Sequence, residues 1–320
     1  MRILVMGAGA LGSVAGGLMS RAGHEVSLVG RAAHINAVRS QGLLIEGIWG
    51  SHHVAGMEAV TAVEDLCRAD FDLVLIAVKS YDTRKAAQLV VPMVSPETWV
   101  CSYQNGLGNA EVIAREVGPE RVLGARVIYG ARIAEPGRVD VTVIAAPTAI
   151  GGYGAPGAAK AAKEVAAAME AAGLPTVDTD RIQTVLWSKV AYNCALNPLS
   201  ALLNVPYGAL AENSHTRQIM DDVIEELYAV AEAMEVPLEP ETADGYRESF
   251  YGKLLPPTAA HYASMREDLL LGRRTEVDAL NGAIARFGAE RHVPCPANGM
   301  LTALVHAREG LHNRGKSSNA

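Results

Sequence analysis

The chain has 320 residues, 49% of them hydrophobic and 20% charged, so it can build an ordinary globular core and is long enough for two domains. Its net charge is −7 and no basic run exceeds a pair, which argues against a nucleic-acid partner because phosphate neutralisation needs clustered cations. No apolar run approaches the roughly 20 residues of a membrane span, and the scattered cysteines argue against a disulfide framework or a zinc site. We therefore expect a soluble, cytoplasmic protein without a signal peptide and without a membrane partner.

The N-terminal segment has the pattern of a dinucleotide-binding unit. An apolar run, Ile3–Met6, predicts a strand, an Ala-rich stretch, Ala10–Arg21, predicts a helix, and Glu25–Val29 predicts a second strand. The turn between the first strand and the helix carries the motif GxGxxG. Its residues are Gly7, Ala8, Gly9, Ala10, Leu11 and Gly12.

Each glycine of this motif has a separate role. Gly7 permits the tight turn, Gly9 lets the backbone approach a pyrophosphate, and Gly12 lets the helix pack close to the strand. The free N–H groups and the positive dipole end of the helix then hold the phosphates. A glycine-rich turn without a ligand is the alternative, and the flanking strand–helix–strand pattern disfavours it.

The end of the second strand selects the cofactor. NAD sites usually carry a carboxylate about twenty residues past the glycines, where it binds the ribose 2′-hydroxyl. Here the sequence is Val29-Gly30-Arg31-Ala32, with no carboxylate. The guanidinium of Arg31 can pair with a 2′-phosphate, so we expect NADPH/NADP as the cofactor. A surface charge in a loop is the alternative interpretation of Arg31.

Further strands follow with helices between them. Asp72–Val78 and Trp99–Tyr103 are predicted strands, followed by Lys79 and Asn105. Ligands of an open α/β sheet bind at the carboxyl ends of the strands, so Arg31, Lys79 and Asn105 are pocket candidates. The remaining elements of this half are predicted at Val139–Val143, Thr148–Gly151 and Thr176–Val177 (strands) and at Ala158–Ala172 (helix).

The alternation stops near residue 180, and the rest is predicted to be helical. The predicted helices span 180–203, 212–235, 240–252, 257–286 and 296–309. We therefore predict an α/β fold, with an N-terminal Rossmann-type doubly wound sheet over 1–179 and an all-helical domain over 180–312. Residues 313–320 are predicted to form a disordered tail.

In the first helix of the second domain, Lys189, Asn193 and Asn197 recur at i, i+4 and i+8, so they share one face of an apolar helix. A buried amine is costly unless it is paired or used, which favours a functional site. The alternatives are a lysine that reaches solvent and an asparagine that stops a helix before Pro198, which we expect to end or kink it.

Glu276 is a second polar residue at an expected apolar position. In the predicted helix 257–286 it lies four residues before Leu280, on the face that Leu280 and Ile284 mark as apolar. A carboxylate facing a core needs a cation or a hydroxyl as its partner. The alternative is first-turn helix electrostatics. The nine histidines form no metal-spaced cluster, and Ser264 is uninformative by itself.

With these motifs in place, the chain resembles the ketopantoate reductases (2-dehydropantoate 2-reductases) along nearly its whole length. Five segments carry the resemblance, and the last two are more specific than any Rossmann fingerprint. They are Gly7–Gly12 (GAGALG), AVKSYDT around Lys79, QNGLG at Gln104–Gly108, WSKVAYNCALNPLSA at Trp187–Ala201 and SMREDLLLGRRTEVDALNG at Ser264–Gly282.

The resemblance implies reduction of 2-dehydropantoate to (R)-pantoate by NADPH, in a cleft between a Rossmann domain and a helical domain. It implies that Lys189 is the general acid and that Glu276 binds the substrate hydroxyl and orients Lys189. The other implied contacts are Asn193, Asn197 and Ser264 to substrate, Asn105 bridging cofactor and substrate, Arg31 and Lys79 to the 2′-phosphate end, and Tyr129-Gly130-Ala131 along the cofactor.

One position departs from the family pattern. Many members carry Asn where this chain has His261, three residues before Ser264, which leaves the exact 2-oxo acid open. A paralogue acting on another 2-oxo acid and a non-catalytic NADP(H) sensor are therefore alternatives. The sequence also leaves open whether the long helices form a homodimer, and whether Cys194 is reactive or simply packed.

Overall fold

The computed structural model describes residues 1–317, with side chains described up to residue 311. Two compact units divide the chain, Met1–Ile182 and Gln183–Ala320. Among the described helices, none combines the length and the apolar character needed to cross a membrane.

The first unit alternates strands and helices, as the sequence predicts. The strands are β1 (Arg2–Met6), β2 (Glu25–Val29), β3 (Leu43–Gly47), β4 (His52–Val54), β5 (Glu58–Val60), β6 (Leu73–Ile76), β7 (Trp99–Ser102), β8 (Val122–Arg126), β9 (Tyr129–Glu135), β10 (Arg138–Ile144), β11 (Thr148–Gly152) and β12 (Thr176–Asp178). The helices are α1 (Ala10–Arg21), α2 (Ala32–Gln41), α3 (Thr83–Val90), α4 (Asn109–Val117) and α5 (Ala158–Ala171).

The large sheet has the strand order of a doubly wound fold. Its order is β12-β11-β8-β7-β6-β1-β2-β5. All pairs from β8 to β5 are parallel, and β11 runs antiparallel to β8. The parallel part therefore has the Rossmann order 3-2-1-4-5-6, which reverses direction beside β1. Met6 pairs with both Val29 and Ile76, so β1, β2 and β6 reach the same edge at that switch point.

A second, smaller sheet lies against α1, and the sequence analysis did not anticipate it. Its order is β4-β3-β10-β9. Helix α1 packs closely on both sheets, because a Cβ at Gly16 would lie 2.7 Å from the Leu28 side chain and one at Gly17 would lie 2.7 Å from that of Ile45. The main core joins the apolar faces of both sheets around this helix.

The second unit is helical, as predicted. Its helices are α6 (Ile182–Leu203), α7 (Tyr207–Glu212), α8 (Ser214–Ala233), α9 (Ala243–Ser249), which a π-helical turn (Phe250–Leu254) extends, α10 (Ser264–Leu270), α11 (Asn281–Glu290) and α12 (Pro296–Ser317). Helix α6 continues through Pro198, so the expected stop does not occur. The predicted tail, 313–320, falls partly in α12, and residues 318–320 lie outside the described residues.

The predicted helix 257–286 is wrong. A short 3₁₀ turn at Pro256–Thr258 and a loop precede α10, which ends at Leu270. Gly272 then takes a φ of +67°, the left-handed conformation with which many helices end. Glu276 therefore lies in a connecting segment rather than on a helix, and the helical-face argument for it does not hold.

A buried chain of hydrogen bonds joins four helices of this unit. The side-chain amide of Asn281, on α11, donates to the Cys194 carbonyl (3.1 Å) and to Oδ1 of Asn298 (3.0 Å). Nδ2 of Asn298 donates in turn to the Glu226 carboxylate (2.7 Å). That carboxylate also accepts the N–H groups of Ala297 (2.7 Å) and Asn298 (2.9 Å), so it caps α12. The chain thereby ties α6, α11, α12 and α8 together.

We predict that Glu226→Ala lowers the free energy of unfolding by about 2–3 kcal/mol, since it leaves three N–H donors without their charged acceptor. Glu232→Ala, at an exposed position of the same helix, is the matched control and should change stability by less than about 0.5 kcal/mol. Urea unfolding followed by circular dichroism measures both. Equal effects of the two variants would contradict the capping role.

Candidate active site

The glycine turn closes onto the neighbouring strand. The backbone N–H groups of Gly7 and Ala8 both donate to the Val29 carbonyl, at 3.0 and 2.8 Å. Gly7 has a φ of +114°, and a Cβ there would lie 2.6 Å from the backbone nitrogen of Val78. The turn is therefore confined between the ends of β2 and β6, at the switch point of the sheet.

The other two glycines of the motif differ in what surrounds them. A Cβ at Gly12 would lie 2.2 Å from the Gly7 carbonyl oxygen, so the fold itself excludes a side chain there. A Cβ at Gly9 would meet no protein atom within 4 Å, although Gly9 has an ordinary φ of −79°. The fold does not require glycine at this position, which fits a backbone that a ligand approaches closely.

Helix α1 begins directly after Gly9, in a way that suits an anion. No acidic residue lies in its first turn, and no side chain caps it in the described part of the chain. The N–H groups and the dipole of such a helix end attract a phosphate. Together with the open space at Gly9, the turn fits the pyrophosphate of a dinucleotide.

Arg31 lies beside this turn. A Cβ at Gly30 would be 2.6 Å from the Cβ of Ala8, so the segment after β2 runs against the glycine turn. Arg31 is exposed and precedes α2, and its carbonyl accepts the N–H groups of His34 (3.1 Å) and Ile35 (3.0 Å). The structure thus places Arg31 and the glycine turn at the same edge of the sheet.

Lys79 and Asn105 follow β6 and β7, and one side chain that the sequence analysis overlooked joins their segments. The buried amide of Gln104 donates to the Val78 carbonyl (2.8 Å) and to the Thr83 hydroxyl (2.8 Å). It thereby holds the two strand ends together. Both Lys79 and Asn105 are half-buried.

Strand β9 of the small sheet contacts the glycine motif. The Tyr129 hydroxyl donates to the Leu11 carbonyl (3.3 Å) and lies 3.3 Å from the Tyr103 hydroxyl. Burial raises the pKa of Tyr103 to about 12, so this phenol stays protonated at neutral pH. Ala131 lies on the same strand, β9, and is half-buried.

In the second unit, α6 carries Lys189, Asn193 and Asn197 at successive turns, so their Cα atoms are spaced by about 6 Å along the helix. Lys189 and Asn193 are half-buried and Asn197 is buried. Oδ1 of Asn197 accepts a hydrogen bond from the hydroxyl of Tyr207 (2.9 Å), a residue that the sequence analysis missed.

Tyr207 also fixes the segment that carries the unusual histidine. Its backbone N–H donates to the carbonyl of His261 (3.0 Å). Ser264 follows at the start of α10, and both His261 and Ser264 are exposed. Tyr207 thus contacts the α6 polar face through its hydroxyl and the His261 segment through its backbone.

Contacts on both sides hold the segment around Glu276. The backbone N–H of Thr275 donates to the Glu309 carboxylate (2.7 Å), and His306 Nε2 lies 2.8 Å from Asp278. Partial burial lowers the pKa of His306, but hydrogen bonds to Glu309 and Asp278 outweigh it and keep the pKa above its ordinary value. Because Asn281 donates to the Cys194 carbonyl, this segment is also tied to α6, one residue from Asn193.

Comparison with known proteins gives the family. The family models described as Ketopantoate reductase PanE/ApbA and Ketopantoate reductase PanE/ApbA C terminal match residues 3–154 and 181–309. The chain belongs to the ketopantoate reductase family.

Relatives within this family match along almost the full chain. The 2-dehydropantoate 2-reductase of Aquifex aeolicus is 39% identical, covering 97% of both chains. The 2-dehydropantoate 2-reductase of Pyrococcus horikoshii is 34% identical, covering 97% of this chain and 98% of its own. This chain is accordingly an oxidoreductase.

Solved structures agree with the fold. A PanE/ApbA family ketopantoate reductase from Ralstonia eutropha aligns with a TM-score of 0.86 at 34% identity, over 98% of this chain and 100% of that one. D-mandelate dehydrogenase, solved with NADH and anilino(oxo)acetate, aligns with a TM-score of 0.86 at 29% identity, over the same shares. A nicotinamide cofactor fits both the family and the glycine turn.

Two further features concern the chemistry of this ketopantoate reductase fold, namely the surroundings of Cys194 and the side chains that could bind a metal. Cys194 is completely buried, and desolvation raises its pKa well above the ordinary value, so it stays a packed thiol. Across the described residues, no group of histidine, cysteine and carboxylate side chains could hold a metal ion.

We predict that Gly9→Ala leaves the stability within about 0.5 kcal/mol but weakens cofactor binding about tenfold or more, since the new methyl group enters space that only a ligand uses. Gly12→Ala is the contrasting variant and should destabilise the fold itself, because its Cβ meets backbone. Thermal melts and titration of nucleotide fluorescence separate the two effects. Unaltered binding in a folded Gly9→Ala protein would contradict this prediction.

Proposed function

We propose that this chain reduces 2-dehydropantoate to (R)-pantoate with NADPH, a step toward pantothenate and coenzyme A. The observation that carries the proposal is the polar face of α6, with its ammonium group and two amides, and the tie from that helix to the segment bearing Glu276. The relatives named 2-dehydropantoate 2-reductase support this choice of substrate.

In this proposal, Lys189 is the general acid. A nicotinamide cofactor held by the first unit would supply the hydride. As the C2 carbon gains that hydride, the carbonyl electron pair moves onto oxygen, and the Lys189 ammonium stabilises the growing negative charge. Lys189 then gives the alkoxide a proton, which leaves a hydroxyl product and a neutral amine that takes a new proton from solvent.

The surrounding polar groups hold the substrate in place. Glu276 accepts a hydrogen bond from the substrate hydroxyl and orients the Lys189 ammonium. The amides of Asn193 and Asn197, with the Ser264 hydroxyl, bind the substrate's hydroxyl and carboxylate. The hydrogen bond from Tyr207 to Asn197 Oδ1 supports this role, since it leaves the Asn197 N–H groups to donate to a carboxylate.

The cofactor contacts of the proposal lie in the first unit. The turn Gly7–Gly12 holds the pyrophosphate, and Arg31 and Lys79 hold the 2′-phosphate. Asn105 contacts the nicotinamide end, and Ala131 lines the cofactor. The carboxylate-free sequence after β2 supports NADPH over NADH, because a ribose 2′-hydroxyl would find no acceptor there.

The direct test follows NADPH absorbance with 2-dehydropantoate, with NADH and simpler 2-oxo acids run in parallel. We expect rapid NADPH oxidation with 2-dehydropantoate and much slower oxidation in the other reactions. If only a different 2-oxo acid is turned over, the proposed substrate is wrong. If NADPH binds but no substrate is turned over, the chain is an NADP(H) sensor rather than this reductase.

We predict that Lys189→Ala lowers kcat at least about 100-fold, since it removes both the proton donor and the charge at the alkoxide. Lys85→Ala, at an exposed position of α3, is the control and should leave kcat unchanged. Steady-state kinetics with saturating NADPH measure both. A near-normal kcat in Lys189→Ala would eliminate this mechanism.

We predict that Arg31→Ala raises the KM for NADPH about 10- to 100-fold with little change in kcat, because a charge-assisted pair is lost from binding rather than from the chemical step. Arg39→Ala, exposed in the last turn of the same helix, is the matched control. If the KM for NADPH stays the same, the 2′-phosphate is recognised elsewhere.

A second candidate function is the reduction of a 2-oxo acid that carries an aromatic ring. D-mandelate dehydrogenase, a relative by structure, was solved with NADH and anilino(oxo)acetate, which carries a phenyl ring. His261 stands where many ketopantoate reductases carry Asn, and its exposed imidazole would alter the contacts to a substrate. Phenylglyoxylate, the 2-oxo acid that corresponds to mandelate, therefore belongs in the substrate panel.

A further inference from the structure

A buried histidine, His34, lies between the glycine turn and Arg31. It is 5% exposed and belongs to the first turn of α2, where its backbone N–H donates to the Arg31 carbonyl (3.1 Å). Its ring nitrogen Nε2 is 3.0 Å from the hydroxyl of Ser13, a fully buried residue of α1. The ring of His34 thus contacts α1, the helix that begins at the glycine turn. His34 itself belongs to α2, the helix that follows Arg31.

The other ring nitrogen reaches the small sheet. The backbone N–H of Gly137, in the turn between β9 and β10, donates to His34 Nδ1 (3.1 Å). The Gly137 carbonyl accepts the Leu44 N–H (2.9 Å), so that turn is also fixed to β3. A Cβ at Gly137 would lie 3.0 Å from the Cβ of Ala37, which shows how closely the turn packs on α2.

These partners fix the protonation of the ring. A backbone amide can only donate, so Nδ1 of His34 accepts and carries no proton. The proton is therefore on Nε2, which donates to the Ser13 hydroxyl. Burial lowers the pKa of His34, so the neutral ring that this arrangement requires persists at neutral pH.

We propose that His34 is a positioning residue for cofactor selection: it fixes the start of α2, and with it Arg31, relative to the start of α1. The inference rests on the proposed function, in which Arg31 binds the 2′-phosphate while the α1 turn binds the pyrophosphate. These two groups are attached to the same ribose of the cofactor, so the distance between Arg31 and the turn determines whether both contacts form together. NADH lacks the 2′-phosphate and does not depend on that distance.

The chain of contacts is short and continuous. The Ser13 N–H donates to the Gly9 carbonyl (2.9 Å) and closes the first turn of α1. From Gly9 the path runs through Ser13 to the ring of His34 and then through the His34 backbone to Arg31. Three hydrogen bonds make up this path: Ser13 N–H to the Gly9 carbonyl, the His34 ring to the Ser13 hydroxyl, and His34 N–H to the Arg31 carbonyl.

Two amide substitutions divide the two functions of the ring. His34→Asn keeps an acceptor near the Nδ1 position for Gly137 and loses the bond to Ser13, whereas His34→Gln extends a donor toward Ser13 and loses the acceptor. Because the Ser13 bond connects the two cofactor-binding helices, we expect His34→Asn to raise the dissociation constant of NADPH about 3- to 10-fold and that of NADH less than about twofold. His34→Gln should retain most of the preference for NADPH.

The measurement is a fluorescence titration of each protein with NADPH and with NADH. The readout is the dissociation constant of NADH divided by that of NADPH, a ratio that falls when the preference for NADPH is lost. Ser13→Ala removes the same bond from the other side and should reduce the ratio as His34→Asn does, which also covers the case in which a His34 variant fails to fold. In an Arg31→Ala background, His34→Asn should leave the ratio unchanged.

The outcomes separate this inference from the proposed function. If Arg31→Ala reduces the ratio but His34→Asn and Ser13→Ala do not, the positioning role of His34 is wrong and the NADPH assignment survives. Equal weakening of NADPH and NADH binding would also overturn it, since that result indicates a structural role alone. If Arg31→Ala itself leaves the ratio unchanged, recognition of the 2′-phosphate by Arg31 is what fails.

Discussion

The closure of the glycine turn onto β2 is the constraint on which the first unit depends. Two backbone N–H groups, those of Gly7 and Ala8, converge on one carbonyl, that of Val29. The bonds bring the end of β1 to the end of β2 and start α1 at the switch point. Gly12 then allows α1 to pack against the Gly7 carbonyl, because a Cβ at position 12 would overlap that carbonyl oxygen. Arg31 follows β2 directly, so its place at this edge is a consequence of the same closure.

The second unit depends on a buried polar chain instead. Asn281, Asn298 and Glu226 each satisfy backbone groups that lie at helix ends or inside packed helices. The paired N–H donors favour one arrangement of the helices, because an unpaired buried donor is costly. Its value for the site is indirect, since it holds the segment of Glu276 to α6 through Asn281.

Local patterns made the first unit largely predictable. The residues from β1 to β2 form the elements expected from apolar runs and from the glycine motif, because a parallel strand and the helix after it have strong, separate signals. The small sheet was missed because β3 pairs with β10, and a partner so distant in the sequence leaves no local pattern.

The second unit shows the opposite limit. The helical face from Lys189 to Asn197 follows from spacing alone, and it persists through Pro198. The helix assumed around Glu276 does not exist, and Gly272 was the signal that could have ended it. Tyr207 and Gln104 could not have been predicted, since their importance comes from which distant atoms they reach. Glu276 was selected by an argument that proved wrong, and its roles rest on the family resemblance.

The pairing of β3 with β10 has a consequence for how the chain is made. Leu44 aligns with Arg138, so β3 gains its neighbour β4 early but must wait for β10 to be synthesised before its other edge is paired. Such long-range pairing is slow to form, and until β10 is made the backbone N–H and C=O groups along one edge of β3 stay unpaired on the nascent chain. The four-stranded order of the small sheet can therefore be completed only after β10 has been synthesised, although β3 and β4 can pair before then.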